Sequence, residues 1–248
     1  MTALLSCEGL TRRFGGLTAV NDVSLQFPVG EVHAVIGTNG AGKSTLINML
    51  SGEFPPSSGK VELMGIDVTA WPQARRARAG LGRSYQRNTI YPSFTVFENC
   101  RLAAQADAQK PWHFWQRADR CEASVTAARK AASRAGLDRV LDRQAGLLSH
   151  GQKRQLEIAM CLATGPQVLL LDEPLAGMGA EETERMLLLL DELRSGHAIL
   201  LVEHDMDAVF RIADTITVMV NGCKIASGDP EFIRNSPEVR TAYLGEGH

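Results

Sequence analysis

Cysteine is sparse and dispersed in this chain. The five thiols, Cys7, Cys100, Cys121, Cys161 and Cys223, form no C-x-x-C pair. That excludes a zinc ribbon and a dense disulfide framework, and it fits a reducing compartment. Long apolar runs are also missing: stretches such as Val168–Leu171 and Ala198–Val202 fall far short of the ~20 residues that span a bilayer. The opening Met1–Cys7, followed by Glu8 and Arg12-Arg13, lacks the charged-then-apolar order of a signal peptide. The expectation is a cytosolic chain that reaches a membrane only through a partner. Neither charge is in excess, with 26 Lys and Arg against 28 Asp and Glu, net −2. The electrostatic footprint of a nucleic-acid binder is therefore absent. No internal repeat or low-complexity segment is present, which argues against a solenoid.

The 248 residues can bury a sizeable core, as one α/β domain or one domain with a subdomain. Leu4–Cys7, Val20–Phe27, Glu31–Ile36, Val61–Met64 and Leu81–Gln86 read as strands, and residues 72–79 as a short Arg-rich helix. From about residue 90 the character changes. Thr95-Val-Phe-Glu98 has capping-box form and predicts a helix to about Ala106. Lys110–Trp115 interrupts, and Asp119–Ala135 predicts a second helix closed by Gly136. Further on, strands at Val168–Leu171 and Ile199–Val202 alternate with helices at Ala180–Arg194 and Met206–Ala213. Asn221-Gly222 marks a hairpin between Ile216–Val220 and Lys224–Ala226, and residues 229–245 read as one or two short helices. Strands and helices alternating at this spacing predict a mainly parallel sheet carrying a helical insertion.

The most informative stretch is Gly37-Thr38-Asn39-Gly40-Ala41-Gly42-Lys43-Ser44-Thr45, which matches G-x-x-x-x-G-K-[ST] between a predicted strand and a predicted helix. Glycines let the backbone wrap an anion with its N–H groups inward, and the helix adds its positive end. In such a loop Lys43 meets the β- and γ-phosphates and the Ser44 hydroxyl ligates Mg²⁺. Val168-Leu-Leu-Leu-Asp172-Glu173 is an apolar strand ending in two acids. Asp172 suits a Mg²⁺ ligand, and Glu173 a base or orienter for an attacking water. Leu148-Ser149-His150-Gly151-Gln152 opens another helix with Ser149 as N-cap, giving a second anion-binding surface or simply a capped helix.

Taken in order, the phosphate loop, Leu-Ser-x-Gly-Gln and Leu-Leu-Leu-Asp-Glu resemble the ATP-binding cassette family over essentially the whole chain. The resemblance implies a P-loop NTPase (RecA-like) α/β core with N-terminal antiparallel strands and an inserted α-helical subdomain. It divides the single domain 1–248 into a core at 1–89 and 160–228, a helical subdomain over about 90–159, and a helical tail over about 229–248. It implies ATP hydrolysis with Mg²⁺. It also implies a head-to-tail dimer in which Ser149, Gly151 and Gln152 of one subunit complete the nucleotide site on residues 37–45 of the other. By the same likeness Phe14 stacks on adenine, Gln86 touches Mg²⁺ and the lytic water, and His204 in Val202-Glu-His-Asp205 lies near the γ-phosphate. Two positions depart from the family pattern: His150 stands where Gly is usual, and Gly179 where Asp is usual.

Several segments resemble the branched-chain, or hydrophobic, amino-acid uptake subgroup: Leu10–Val20 and on through Ser24, Gly82–Gln86, Glu203–Met206 and Asn235–Gly245. That resemblance implies two transmembrane permease subunits, a second cassette that is a paralogue or a copy, and indirectly a periplasmic solute-binding protein. The place implied is the cytoplasmic face of the bacterial inner membrane. Urea, amide and aromatic-acid importers and the lipopolysaccharide-export ATPase are related alternatives; a non-transport cassette acting on ribosomes or DNA, or another P-loop enzyme such as a kinase, is less favoured. Tyr91, Phe94, Phe97, Trp112, Phe114 and Trp115 give the insertion its aromatics, which either line a groove for a permease helix or fill the subdomain core. Arg75, Arg76, Arg78, Arg83 and Arg87 read as a solvated helix face in preference to a contact with lipid headgroups or nucleic acid.

Overall fold

The computed structural model describes residues 3–85, 89–108 and 121–241. Two sheets build the body. In the first, β1 (Ala3–Phe14) pairs antiparallel with β2 (Leu17–Pro28) and with β4 (Ser58–Leu63), and β4 pairs with the short β5 (Ile66–Asp67). In the second, β3 (Val32–Gly37), β6 (Leu81–Arg83), β7 (Val168–Asp172), β8 (Ala198–Val202), β9 (Thr215–Val220) and β10 (Cys223–Gly228) are ordered β10-β9-β3-β8-β7-β6. All neighbours are parallel except β10 with β9, which close the Asn221-Gly222 hairpin.

The central strands are apolar throughout because both sheet faces are covered. Side chains divide with the two-residue period of a strand. Leu169, Leu171, Ile199 and Leu201 face α5 (His150–Ala163) and α6 (Ala180–Arg194). Val168, Leu170, Leu200 and Val202 face the other way, toward Leu46 and Leu50 of α1 (Lys43–Ser51) and Leu5, Leu25 and Val61 of the antiparallel sheet. A third core cluster packs Ile36, Ile216 and Val218 against Val209 of α7 (Met206–Ile212), Ile233 of α8 (Pro230–Asn235) and Val239 of α9 (Pro237–Val239).

The insertion is helical, as expected. Between α1 and the insertion lies the short α2 (Gln73–Arg78). Thr95 and Glu98 form the predicted capping box, with Thr95 N–H donating to Glu98 (2.7 Å) and Glu98 N–H to Thr95 Oγ1 (3.1 Å). The helix they start, α3 (Val96–Ala108), packs with α4 (Glu122–Arg134) and α5 through Cys100, Ala104, Ala128, Ala132, Leu156 and Ala159. Small residues at these contacts let the helices approach closely. α5 runs unbroken through residue 160, so one rigid element joins the insertion to the core.

Two readings of the sequence need correction. The strand expected over Leu81–Gln86 is in register with β7 only over Leu81–Arg83; Ser84 N–H still donates to Leu170 O (2.9 Å), and strand geometry ends there. The arginines of 75–83 are only in part a solvated face: Arg75 and Arg78 are exposed, whereas Arg76 and Arg83 are not. Arg76 is fully buried and donates to the carbonyls of Met49, Leu50, Thr69 and Trp71, closing the C-terminal end of α1. Arg83 is also covered, bonding Ser51, Asn48 and Glu53, and Arg75 stacks 3.7 Å from the Trp71 ring centre. An exposed charge run and a buried capping arginine look alike in one dimension. Gln86, Arg87, Trp112, Phe114, Trp115 and the last residues of the tail lie outside the described residues.

Candidate active site

The site gathers where the parallel strands end. Val202 is register partner to both Val35 and Asp172. The residues that follow these positions, Gly37 onward, Glu173 and Glu203, therefore emerge at one edge of the sheet, the edge where such sheets bind ligands. There the phosphate loop turns from β3 into α1. Two of its glycines are required by close approach. A Cβ on Gly37 would fall 2.3 Å from the Met219 carbonyl oxygen, and one on Gly42, at φ 99°, 2.4 Å from that of Ala19. The loop is braced from behind, since Gly222 N–H donates to Ala41 O (3.0 Å) and Asn21 N–H to Gly222 O (2.8 Å).

The loop borders a cavity of about 710 Å³. Asn39, Gly40, Ala41, Gly42, Lys43, Ser44 and Thr45 lie on one side, with Phe14, Thr18, Asn221 and Glu173 among the remaining walls. Phe14 is half exposed at the rim, edge-on to Phe54 at 5.7 Å and under the Arg12 guanidinium at 4.6 Å. Lys43 donates to the Gly37 and Thr38 carbonyls at 2.7 and 3.1 Å. Burial lowers its pKa, while the Glu173 and Asp172 carboxylates work the other way.

Asp172 is buried at the end of β7. Burial raises its carboxyl above the usual range and Glu173 adds to this, against Arg83 and Lys43. A hydroxyl at Ser44 and a carboxylate at Asp172 are the hard oxygen donors that suit Mg²⁺, which normally takes one or two protein oxygens together with phosphate and water. No three His, Cys, Asp or Glu side chains converge to hold a metal among the described residues.

Glu173 follows β7 with φ 50°, in the left-handed region, and its N–H is tied to Val202 O at 2.8 Å. A bulky acid in that region is held by its surroundings, a pattern common at functional sites. His204 Nδ1 lies 3.9 Å from Glu173 Oε1 and 3.8 Å from Glu203 Oε2. Glu203, fully buried, accepts from Leu175 N–H (2.8 Å) and His204 N–H (3.1 Å), and burial raises its carboxyl pKa. It therefore links the segment after β7 to the segment after β8. In the sequence Glu203 is marked only as the acid that follows a second apolar strand, and nothing local to it signals this link.

The Ser149–Gln152 segment lies elsewhere. Ser149 caps α5 with a full capping box: its Oγ accepts from Gln152 N–H (3.2 Å) and Gln152 Oε1 accepts from Ser149 N–H (3.1 Å). Ser149, Gly151 and Gln152 line a separate cavity of about 160 Å³ with Glu182 and Arg185. Within one chain, these residues do not line the cavity of the phosphate loop. One further link concerns the segment that holds Gln86. Arg154 donates to Tyr85 O (3.2 Å), and Glu157 accepts from Thr89 N–H (3.2 Å) and from Arg154 (2.9 Å). The helix capped by Ser149 thus grips both flanks of that segment. His150 packs against the loop before α6, since a Cβ on Gly177 would lie 3.4 Å from its ring.

The family model described as ABC transporter matches residues 20–176. This chain belongs to the ATP-binding cassette transporter family. A second model, described as Branched-chain amino acid ATP-binding cassette transporter, matches residues 223–248 of the cassette. Over 253 aligned residues it is 42% identical to the high-affinity branched-chain amino acid transport ATP-binding protein LivG of Salmonella typhimurium and of Escherichia coli K12, covering 98% of both chains. It is 39% identical to BraF of Pseudomonas aeruginosa at the same coverage. Among solved structures it resembles a nucleotide-free ATP-binding cassette from an ABC transporter, with TM-score 0.88 and 32% identity over 99% of this chain and 100% of that one. It also resembles the ADP conformation of the cassette MJ1267, with TM-score 0.87 and 31% identity over the same shares. The cassette is therefore a nucleotide-binding ATPase with the expected α/β fold. Among its described residues no helix is long and apolar enough to cross a membrane.

Proposed function

We propose that this cassette is the ATP-hydrolysing subunit of an importer for branched-chain or related hydrophobic amino acids, working at the cytoplasmic face of a bacterial inner membrane. The match of residues 223–248 and the branched-chain amino acid transport named for the LivG and BraF relatives support the substrate class. One observation carries the mode of action: the phosphate loop and the Ser149–Gly151 surface line different cavities in one chain. Two cassettes placed head to tail, this chain with a paralogue or a copy, bring each loop opposite the other subunit's Ser149, Gly151 and Gln152. Two transmembrane permease subunits receive the movement, and a periplasmic solute-binding protein delivers the cargo.

The residues divide the chemistry as follows. Phe14 offers a ring face to adenine at the cavity rim. The N–H groups of residues 38–45 and the Lys43 ammonium hold the phosphates of ATP. Ser44 and Asp172, with Gln86, would hold Mg²⁺, which would supply neutralisation of phosphate charge. Water attacks the γ-phosphorus; the new P–O bond forms as the bond to the β-phosphate oxygen breaks, and ADP leaves. Glu173 orients that water and takes its proton, a contribution of about 10²- to 10⁴-fold. His204, braced by Glu203, stabilises charge on the transferred group.

Reconstitution tests this reading. The cassette is assembled in proteoliposomes with the permeases and solute-binding protein of its own operon, ATP is enclosed on the cassette side, and labelled leucine is offered on the other. ATP-dependent leucine accumulation is expected, and its absence alongside uptake of urea or an aromatic acid would overturn the substrate class.

A further inference from the structure

Glu182 lies in the first turn of α6, and its carboxylate reaches across to the start of α5. Ser149 Oγ donates to Glu182 Oε1 at 2.9 Å, and Gly151 N–H donates to the same oxygen at 3.2 Å. The fit is close enough that a Cβ on Gly151 would fall 2.7 Å from the Glu182 carboxyl carbon. These donors hold the carboxyl below the usual carboxylate range. The neighbouring Glu181 pairs instead with exposed Arg185 at 3.3 Å.

A hydroxyl and a helix-terminal N–H converging on one anionic oxygen form the arrangement that receives a phosphate oxygen. In the dimer proposed above, these same two donors face the γ-phosphate bound by the opposite subunit. A carboxylate and a phosphate oxygen are both acceptors and both anions, so they cannot share one O–H and one N–H. We propose that Glu182 is an internal stand-in for the γ-phosphate: it occupies the Ser149–Gly151 donors until the partner's nucleotide displaces it, and so sets the ATP concentration at which two cassettes close. This inference rests on the head-to-tail reading. Arg185, one turn along α6 and bordering the same small cavity, is placed to receive the displaced carboxylate. A γ-phosphate, with more charge and more oxygens than a carboxylate, wins the exchange, whereas ADP presents nothing to those donors. Glu182 thereby sharpens the choice between the two nucleotides.

The test uses the full-length cassette and its operon partner cassette with Glu173→Gln in both, so that closed dimer accumulates. Light scattering reads the ATP concentration for half-maximal dimer. Glu182→Ala is expected to lower it roughly tenfold, the size of one charge-assisted hydrogen bond no longer competing. Glu182→Gln, which keeps an acceptor but no charge, is expected to fall between. Glu181→Ala removes the same charge from the same turn without touching the donors; because it also frees Arg185, it is expected to lower the threshold by far less than Glu182→Ala. A threshold unchanged or raised in Glu182→Ala, with ATP binding to the single subunit intact, would mean that Glu182 merely fastens α6 to α5. An equal shift in Glu181→Ala would reduce the effect to overall charge. Either result overturns the proposal. If the parent pair forms no dimer with ATP at all, it is the head-to-tail reading that fails.

Discussion

Glu173 Oε1 and His204 Nδ1 stand 3.9 Å apart, at the ends of neighbouring parallel strands, with the buried Glu203 carboxylate 3.8 Å from the same nitrogen. The geometry separates what Glu173 does for the reaction from what it does for the fold. Its side chain reaches the cavity, while its backbone occupies a left-handed conformation at a cost of about 1–3 kcal/mol. Glu173→Gln is expected to bind ATP, lose hydrolysis by about 10²-fold or more, and accumulate the dimer. Glu173→Gly is expected to be equally inactive yet to melt no lower than the parent, since glycine adopts that backbone without strain. Phosphate release and thermal melting check the pair; hydrolysis undiminished in Glu173→Gln would remove the residue from the role assigned to it.

Tyr91 and Phe94 are exposed and stacked on one another at 5.4 Å, whereas Phe97 packs against the insertion's core. The backbone beneath them is pinned independently of their rings: buried Asn99 accepts from Tyr91 N–H and donates to Tyr91 O, and Phe94 O accepts from Ala145 N–H. Tyr91→Glu or Phe94→Asp is therefore expected to abolish ATP-driven uptake while leaving ATP affinity intact and stability within about 0.5 kcal/mol, as for other surface changes. Fluorescent-nucleotide binding alongside proteoliposome transport reads both. Loss of nucleotide binding would show that the rings hold the subdomain together instead of a permease helix.

His33 is buried between the sheets, bonded to Thr217 Oγ1 (2.8 Å) and facing the Gln26 carbonyl (3.3 Å). Burial pushes its pKa from 6.5 down to about 4, with the Lys224 charge acting in the same direction. The folded chain refuses a proton that the unfolded chain accepts below pH 6.5, so stability is present above that pH and is lost as pH falls toward 4. Between pH 7 and pH 5 the loss is about 2 kcal/mol. Urea unfolding at both values measures it, and in His33→Gln this part of the pH dependence is expected to vanish.

Arg76 closes α1 with hydrogen bonds to four carbonyls while fully buried. Removing it leaves those acceptors without partners and opens a hole. Arg76→Ala is expected to cost about 3 kcal/mol or more, seen as a fall of roughly 6–12 °C in melting temperature. Arg76→Lys is expected to recover only part, because one ammonium cannot cover four carbonyls spread over a planar fork. A change of under 1 °C in Arg76→Ala would contradict the account.

What could be read in the sequence was local. The phosphate loop, the Thr95–Glu98 box, the Ser149 N-cap and the Asn221-Gly222 turn each declare themselves within a few residues, and each is found at those positions. The apolar runs of β3, β7 and β8 announced a covered parallel sheet. What escaped depends on neighbours far along the chain. Arg76 was misread because the carbonyls it serves belong to residues 49, 50, 69 and 71. Glu203 acquires its role only when β7 and β8 lie side by side, and Glu182 only when α6 docks beside α5. The family resemblance named the reacting residues but carried none of these supports.

The turn that braces the phosphate loop comes from the far end of the fold. Gly222 N–H donates to Ala41 O, and Gly222 O accepts from Asn21 N–H. A chain emerging from the ribosome exposes every side chain of the loop early but receives this brace only after β9 and β10 have been made. A chain that ends before the hairpin is expected to hold the motif without this brace. ATP, which stabilises whatever form binds it, would then favour copies in which the hairpin is complete.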